Sequence, residues 1–255
     1  MKHGDFTELA KFYVNRPGYS NVLLGCLKNH IFNCVGEGLV ADIGAGTGKL
    51  TENLADLGLK GYAVEPNEAM RHEGENAFKE RNEFSWQEGT AEMTNLKENS
   101  FRWALMGSSF HWTDSEKAVR EFYRILVPGG FFTAIWNPRD IESSELHKRI
   151  EEAVYTEIPN IKRVSSGRTI STEEMKEKLL SGGYFKDILF LEAPHVELMS
   201  KERYMNIWKS VNDIQVQAGP EGFQRILDNI GKIIQDMDEI EVPYLSRAWT
   251  VQSTK

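Results

Sequence analysis

The sequence predicts an α/β fold with a doubly wound, mostly parallel sheet of seven strands. From residue 39 onward, short apolar runs alternate with amphipathic helical patterns, which is typical of a parallel sheet covered on both faces. The first of these runs leads into three closely spaced glycines, in the stretch ADIGAGTGKL. The 255 residues are enough for one large domain of this kind. Because such sheets bind ligands at the carboxyl ends of their strands, the glycines lie where a site is expected.

Five strands and three helices are predicted before this pattern changes. The strands are Leu39–Ile43, Gly61–Val64, Phe84–Gln87, Phe101–Met106 and Gly130–Trp136. The helices are Lys49–Asp56, Asn67–Glu80 and Ser115–Leu126.

Local signals mark the ends of these helices. Asn67 follows Pro66 in the position of a helix N-cap, and residues 113–116 (Thr-Asp-Ser-Glu) have the pattern of a capping box. The Pro-Gly-Gly sequence at 128–130 is expected to end the third helix and turn the chain into the fifth strand.

Residues 141–183 interrupt the alternation, since they are mostly helical and charged, with a second capping-box pattern at residues 171–174. We expect them to form a helical cap or insertion after the fifth strand. The remaining chain predicts a strand at Phe185–Val196, helices over residues 201–236 and a last strand near Ile240–Val251.

Composition and charge argue against several classes of function. The chain is 40% hydrophobic and 27% charged, and its net charge of −8 offers no positive field to attract a nucleic acid. No window approaches the ~18 apolar residues of a membrane span, and the first residues lack the apolar core of a signal peptide. The two cysteines, Cys26 and Cys34, lack the spacing of a zinc site or a redox pair. We therefore expect a reduced, cytoplasmic protein that binds neither nucleic acid nor membrane, while its oligomeric state stays open.

The glycines have the spacing GxGxG, formed by Gly44, Gly46 and Gly48. This spacing departs from the GxGxxG fingerprint of dinucleotide binding, because Lys49 stands at its last position. Asp42 precedes the glycines, and Glu65 follows them by about twenty residues, where an acid can accept hydrogen bonds from two ribose hydroxyls. A loop that needs no pyrophosphate, with an acid on each side, suits a nucleoside that carries an ammonium-bearing tail.

Six segments, taken in order, resemble the class I S-adenosylmethionine-dependent methyltransferases. They are VADIGAGTGKLT, GYAVEPNEAM, EGTAEM, SSFHW, REFYRILVPGGFF and IWNPRD, and the upstream YVNRPGYS resembles the arm that precedes this domain. The likeness is to methyltransferases of type 11, the small-molecule kind that includes trans-aconitate methyltransferase-like proteins, and it is close over residues 13–140. It implies a Rossmann-like sheet, S-adenosylmethionine as cofactor, a small-molecule methyl acceptor and in-line methyl transfer.

The resemblance also implies a division of the chain and a set of site residues. The division is an N-terminal helical arm (1–35), a cofactor-binding core (36–140), a helical cap (141–183) and the remaining strands and helices of the same domain (184–255). The implied cofactor residues are Arg16, Asp42, Gly44, Ala45, Gly46, Thr47, Glu65, Pro66, Met70, Thr90, Ala91, Glu92 and Ser108. The implied acceptor residues are Tyr13, Tyr19, His111, Trp112 and Trp136.

Two positions depart from the pattern of this family. Arg102 stands where the fourth strand usually opens with an aspartate, which should affect structure only, since it lies away from the ligand end. Thr90 stands where an acid is also common, which leaves Glu92 or backbone groups to meet the adenine amine.

Several roles stay open at the level of sequence. His111 is the candidate catalytic residue, either taking a proton from the acceptor or only packing beside it. Thr47 either contacts the cofactor or caps the first helix, and Arg16 either closes the site or only covers the sheet. No histidines share a metal-ligand spacing, so no metal is expected. The alternatives to an enzyme of this class are a methyltransferase-like binding module and, less favoured by the GxGxG spacing, an NAD-dependent oxidoreductase.

Overall fold

A computed structural model describes residues 7–163 and 167–255 of the chain. Across these ranges it shows a seven-stranded sheet in the order β3-β2-β1-β4-β5-β7-β6. The strands are β1 Leu39–Ile43, β2 Gly61–Val64, β3 Phe84–Gln87, β4 Phe101–Gly107, β5 Leu126–Trp136, β6 Phe185–Ser200 and β7 Glu239–Ser253. Strands β1 to β5 are parallel and β7 is antiparallel to both β5 and β6, which confirms the predicted mostly parallel sheet of seven strands.

The register of the parallel strands brings their ends together. Ile43 at the end of β1 pairs with Val64 at the end of β2, and Asp42 pairs with Leu105 of β4. The glycine loop after β1 and Glu65 after β2 therefore begin at the same edge of the sheet, which is the carboxyl edge where such folds bind ligands.

Nine α-helices accompany the sheet in the described part of the chain. They are α1 Ala10–Tyr13, α2 Asn21–Val35, α3 Lys49–Asp56, α4 Glu68–Ala77, α5 Ser115–Ile125, α6 Glu145–Glu157, α7 Thr172–Leu179, α8 Lys201–Lys209 and α9 Asn212–Ile233. Gly219 interrupts α9 with a φ of +67°, directly before Pro220. Residues 1–6 of the predicted arm, including His3, lie outside the described residues. None of the described helices is both long enough and apolar enough to cross a membrane.

The ends of two predicted helices can be compared with the structure. Asn67 caps α4, because its side chain accepts a hydrogen bond from the Met70 amide, as predicted. The capping box predicted before α5 is wrong by one residue. Asp114 caps that helix through the Lys117 amide, whereas the Thr113 hydroxyl donates to the Phe110 carbonyl. Both residues can cap a helix, so the backbone conformation of this turn decides which one does.

The fifth strand begins earlier than predicted. Leu126 of β5 already pairs with Phe101 of β4, four residues before the predicted start at Gly130. The next pair joins Trp103 to Phe131, so the Pro-Gly-Gly sequence is an irregularity within the strand. Gly129 there has a φ of +70°, a conformation that glycine adopts readily.

Apolar side chains pack on both faces of the sheet. One cluster joins α5 and α7 to the strands and includes Phe122, Phe132 and Trp249. The other joins α2 and α3 to the opposite face and includes Leu27 and Leu54. Helices therefore cover both faces of the sheet, and its carboxyl edge is left uncovered for the site.

A third apolar cluster lies beside the sheet and is built from α6, α8, α9 and the outer ends of β6 and β7. It includes Ile150, Trp208, Ile230 and Val242. The structure thus divides residues 141–183, which were predicted as one cap. Helix α6 belongs to this third cluster, whereas Met175 of α7 packs against the sheet.

Candidate active site

A cavity of about 740 Å³ opens at the carboxyl edge of the sheet. Every residue of the predicted cofactor set lines it, from Arg16 to Ser108. We call the part formed by residues 42, 44–47, 65–67, 70, 90–92 and 108 the loop end. The cavity continues away from the sheet into what we call the outer end, which is lined by Asn137, Arg139, Ile141, Glu151, Tyr155, Arg163, Ile207, Val211 and Tyr244.

The glycine loop needs glycine at each of its three positions. Gly44, Gly46 and Gly48 have φ values of +67°, +60° and +89°, which other residues rarely adopt. A Cβ atom on Gly44 would also lie 2.8 Å from the Ser109 hydroxyl oxygen. Gly48 is the N-cap residue of α3 and the cap has no side-chain hydrogen bond, so the alternative role of Thr47 as a helix cap is wrong. The loop leaves its backbone open to a ligand at close range.

Asp42 brings a buried carboxyl group to the floor of the cavity. The side chain is fully buried, and its Oδ2 accepts a hydrogen bond of 2.6 Å from the Thr51 hydroxyl. Its Oδ1 is buried and makes no hydrogen bond within the described residues. Burial raises the pKa of Asp42 to about 7. A buried oxygen without a partner, on a residue that lines a cavity, fits a polar group of a ligand.

Glu65 is held in place by two backbone amides. Its Oε2 accepts from Gly46 at 2.8 Å and its Oε1 accepts from Asn67 at 2.9 Å. Burial raises the pKa of this carboxyl group, while the two amides act in the opposite direction. Each carboxylate oxygen can accept a second hydrogen bond, so the group can hold two hydroxyls without giving up its orientation.

The N-terminal arm closes one side of the cavity. The Arg16 guanidinium lies 3.9 Å from the centre of the Tyr13 ring, and its Nε donates to the Ser210 hydroxyl at 2.9 Å. The buried Tyr19 hydroxyl donates to Ser108 Oγ at 3.1 Å. The arm is therefore attached both to the loop after β4 and to the end of α8.

The turn after β3 lines the loop end with residues that also have structural partners. The Glu92 carboxylate accepts from the Asp114 amide at 2.9 Å, at the start of α5. The Thr90 hydroxyl accepts from the Met93 amide at 3.1 Å. Glu92 keeps capacity for a further hydrogen bond, so both Glu92 and the backbone groups of Thr90 and Ala91 stay candidates to contact an adenine amine.

His111 and Trp136, which were predicted as acceptor residues, do not line the cavity. Trp136 is 1% exposed and belongs to the core, and its indole Nε1 donates to His111 Nδ1 at 3.4 Å. Burial, together with the nearby Lys178, lowers the pKa of His111 to about 4. The structure thus gives no support to the predicted catalytic role of His111.

The reason for this difference is the short 3₁₀ helix Phe110–Trp112 that follows β4. Such a helix has three residues per turn, so neighbouring side chains point in directions about 120° apart. Trp112 lines the cavity and is 43% exposed, whereas the His111 ring packs toward Trp136. Sequence alone does not show which of the two neighbours faces the ligand.

Sequence reasoning missed most of the outer end. Asn137 and Arg139 belong to the IWNPRD segment, so their position directly after a strand could have singled them out. The others come from distant segments that carry no motif. Asn137 links the arm to the sheet, because its Nδ2 donates to the Gly18 carbonyl at 2.8 Å and its Oδ1 accepts from Ser246 at 2.7 Å. Within residues 7–163 and 167–255, no group of three His, Cys, Asp or Glu side chains could hold a metal ion.

The fold is shared with solved structures of methyltransferases. A protein of Anaeromyxobacter dehalogenans provisionally assigned as a type II methyltransferase is 18% identical, with a TM-score of 0.66 over 93% of this chain and 97% of that one. The YcgJ protein of Bacillus subtilis is also 18% identical, with a TM-score of 0.52 over 90% of this chain and 98% of that one. These likenesses show that the chain has the Rossmann-like fold seen in methyltransferases.

Sequence comparison matches part of the chain to a family model. Residues 41–134 match the family model described as "Methyltransferase domain". The chain is 26% identical over 257 residues to an uncharacterized methyltransferase of Schizosaccharomyces pombe, across 96% of this chain and 94% of that one. It is 40% identical over 101 residues to an uncharacterized methyltransferase of Mycobacterium tuberculosis and spans only 40% of that relative's length. These matches support the class I S-adenosylmethionine-dependent methyltransferase family for residues 41–134, the part of the chain that the family model covers.

Proposed function

We propose that this protein transfers a methyl group from S-adenosylmethionine to a small-molecule acceptor that binds in the same cavity. The observation that carries the proposal is the continuity of the cavity from the glycine loop to the outer end. Its volume of about 740 Å³ lies within the range of about 300–1,000 Å³ that is usual for small-molecule sites. One cavity can thus hold the methyl donor at the loop end and the acceptor at the outer end.

The residues of the loop end fit the nucleoside part of this cofactor. Glu65, oriented by the Gly46 and Asn67 amides, would accept hydrogen bonds from the two ribose hydroxyls. The glycine loop allows the tail to approach the backbone, and the unpartnered Oδ1 of Asp42 would accept from the tail or from a water bound to it. Met70 and the backbone of Thr90 and Ala91 would enclose the adenine.

The chemistry that the cofactor supplies is a methyl group on a positively charged sulfur, whose charge is lost as the methyl moves to the acceptor. The protein's part is then to align the two reactants and to exclude water, and alignment alone can supply a large share of the rate. The aromatic side chain of Trp112 lines the cavity and can attract a cation, whereas the Arg16 guanidinium already lies over the Tyr13 ring. We do not assign the role of general base to His111, because its ring faces Trp136.

Residues of the predicted cap are proposed to choose the acceptor. Glu151 and Tyr155 of α6 line the outer end together with Ile207 of α8, and none of them lies at the loop end. We therefore expect changes in α6 to alter acceptor preference and to leave the affinity for the cofactor almost unchanged.

Calorimetric titration with S-adenosylmethionine, its demethylated product S-adenosylhomocysteine and NAD tests the proposal. We expect binding of the first two and none of NAD. Binding of NAD alone would indicate an oxidoreductase instead. Cofactor binding without any transfer of a labelled methyl group to a broad metabolite panel would indicate a binding module.

A further inference from the structure

Arg139 places a positive charge at the outer end without a carboxylate partner. It follows β5, lines the cavity, and its guanidinium lies 4.2 Å from the centre of the Trp208 ring. Among the carboxylates in residues 7–163 and 167–255, none forms an ion pair with it. A charge in such surroundings is normally paired, because burial of an isolated ion is unfavourable.

The other arginines that line the cavity already have partners. Arg163 forms ion pairs with Glu151 at 3.2 Å and with Asp213 at 3.4 Å. Arg168 forms an ion pair with Glu142 at 3.3 Å, and two nitrogens of Arg16 donate to Ser210. Glu151 also attracts the charge of Arg139, but its carboxylate is engaged by Arg163. Arg139 is thus the arginine at the outer end that is left for a ligand.

Buried polar atoms with few hydrogen bonds surround Arg139. Nε2 of His147 is buried and makes no hydrogen bond within the described residues. The buried Tyr204 hydroxyl interacts with the Trp208 indole, and the buried Tyr244 hydroxyl interacts with Arg139, but neither contact reaches the geometry of a normal hydrogen bond. Tyr244 lines the cavity, faces Arg139 in an antiparallel bridge and interacts with its charge. Buried polar atoms almost always have well-formed hydrogen bonds, so a group of poorly satisfied atoms around one cation marks a place for a ligand. Because a guanidinium and an indole N–H can only donate, that ligand must accept hydrogen bonds.

The other polar side chains of the outer end have partners within the protein, since Glu151 pairs with Arg163 and Asn137 is bonded to Gly18 and Ser246. The rest of the wall is apolar, with Ile141, Ile207, Val211 and the ring of Tyr155. A ligand with several anionic charges would find one cation without a carboxylate partner here, and its other charges would lie against hydrocarbon or near the Glu151 carboxylate. An acceptor with one anionic group and an apolar body matches both parts of this wall.

We propose that Arg139 and the Tyr244 hydroxyl bind a single anionic group, a carboxylate or a phosphate, on an acceptor whose body is apolar. That this anion belongs to a methyl acceptor rests on the proposed function, whereas the binding of the anion at Arg139 does not. The two statements can therefore fail separately.

The test is calorimetric titration of the full chain with defined probes, with and without saturating S-adenosylhomocysteine. Phenylacetate and phenyl phosphate represent the two kinds of anionic head, 2-phenylethanol is the neutral analogue, and citrate is an anion of several charges with no apolar body. We expect phenylacetate or phenyl phosphate to bind at least tenfold more tightly than both 2-phenylethanol and citrate. The probe that binds more tightly shows whether the site binds a carboxylate or a phosphate.

Two variants locate the binding. Arg139→Gln should remove the preference for the anion over 2-phenylethanol, while the matched variant Arg225→Gln, in an arginine outside the cavity that pairs with Glu157, should keep it. Tyr244→Phe removes only a hydroxyl group and should weaken anion binding severalfold, so it tests the site even if Arg139→Gln does not fold.

Equal binding of the anion and the neutral analogue by the wild-type protein would overturn the proposal. So would a preference that survives in both Arg139→Gln and Tyr244→Phe, or tighter binding of citrate than of the single-headed probes. Absence of S-adenosylhomocysteine binding would instead contradict the proposed function, and the titrations without nucleoside would still decide the role of Arg139.

Discussion

The loop end and the outer end of the cavity are built in different ways. The loop end consists of short segments that directly follow β1 to β4, and its residues lie between positions 42 and 108. The outer end joins Arg139 after β5, Glu151 on α6, Ile207 on α8 and Tyr244 on β7. Strand ends and backbone geometry position the first, whereas packing between distant helices positions the second. The comparison suggests that cofactor binding and acceptor choice can be changed separately, and four variants test this.

The largest effect is expected at the loop end, from Glu65→Ala. The carboxylate would lose two charge-assisted hydrogen bonds to the ribose, each worth about 1.5–3 kcal/mol, so affinity for S-adenosylmethionine should fall by roughly a hundredfold or more. Glu68→Ala, in an exposed acid of the first turn of α4, is the control and should change little. Calorimetry measures both, and an unchanged affinity in Glu65→Ala would contradict the assigned role.

At the outer end, Arg163→Met should lower the free energy of unfolding. This change leaves the largely buried carboxylates of Glu151 and Asp213 without that cation, and loss of one member of a buried ion pair costs about 3–5 kcal/mol. Arg225→Met removes an exposed arginine from its pair with Glu157 and should cost about 1 kcal/mol or less. Chemical denaturation gives the free energies of unfolding. Similar values for the two variants would show that the packing of the outer end does not depend on Arg163.

The third variant, Asp42→Asn at the loop end, should change how the free energy of unfolding depends on pH. Burial raises the pKa of Asp42 to about 7, while its value in an unfolded chain is about 3.9. Between these values the folded protein holds a proton that the unfolded chain has lost. The contribution of Asp42 to stability therefore falls as the pH rises from about 4 to 7, by up to about 1.4 kcal/mol per pH unit.

Asparagine cannot ionise, so Asp42→Asn should be more stable than the wild type at pH 8 and lose this advantage near pH 4. Unfolding free energies measured across this range for both proteins check the expectation. A difference between the two that stays constant with pH would show that Asp42 titrates near its ordinary value.

The smallest effect is expected from His111→Asn, because His111 lines neither end of the cavity. Burial lowers its pKa to about 4, so the ring is neutral at physiological pH and packs against Trp136. We expect cofactor affinity and turnover to change by less than tenfold, with the ratio of variant to wild type constant from pH 5.5 to 8.5. A loss of ~10²–10⁴ in turnover, as for removal of a general base, would restore the catalytic role first predicted for this residue.

Much of the loop end could be predicted because its signals are local. Gly44, Gly46 and Gly48 follow a strand directly, and Glu65 follows the next one, so the parallel sheet alone brings them to one edge. His111 was misplaced for the opposite reason. Its position after β4 is local, but the direction of its side chain depends on one turn of 3₁₀ helix and on the space beside Trp136.

By itself, the sequence determined the strand–helix alternation, the sheet and the glycine loop with its acids, since these depend on apolar periodicity and on conformations that glycine adopts readily. Only the tertiary structure decided that α6 packs with α8 and α9 while α7 joins the sheet. It alone showed that Arg139 lacks a carboxylate partner in the described chain while Arg163 has two. Whether a charged side chain is paired depends on which distant segments meet it, and that is settled by the burial of apolar faces from the whole chain, not by its neighbours in sequence.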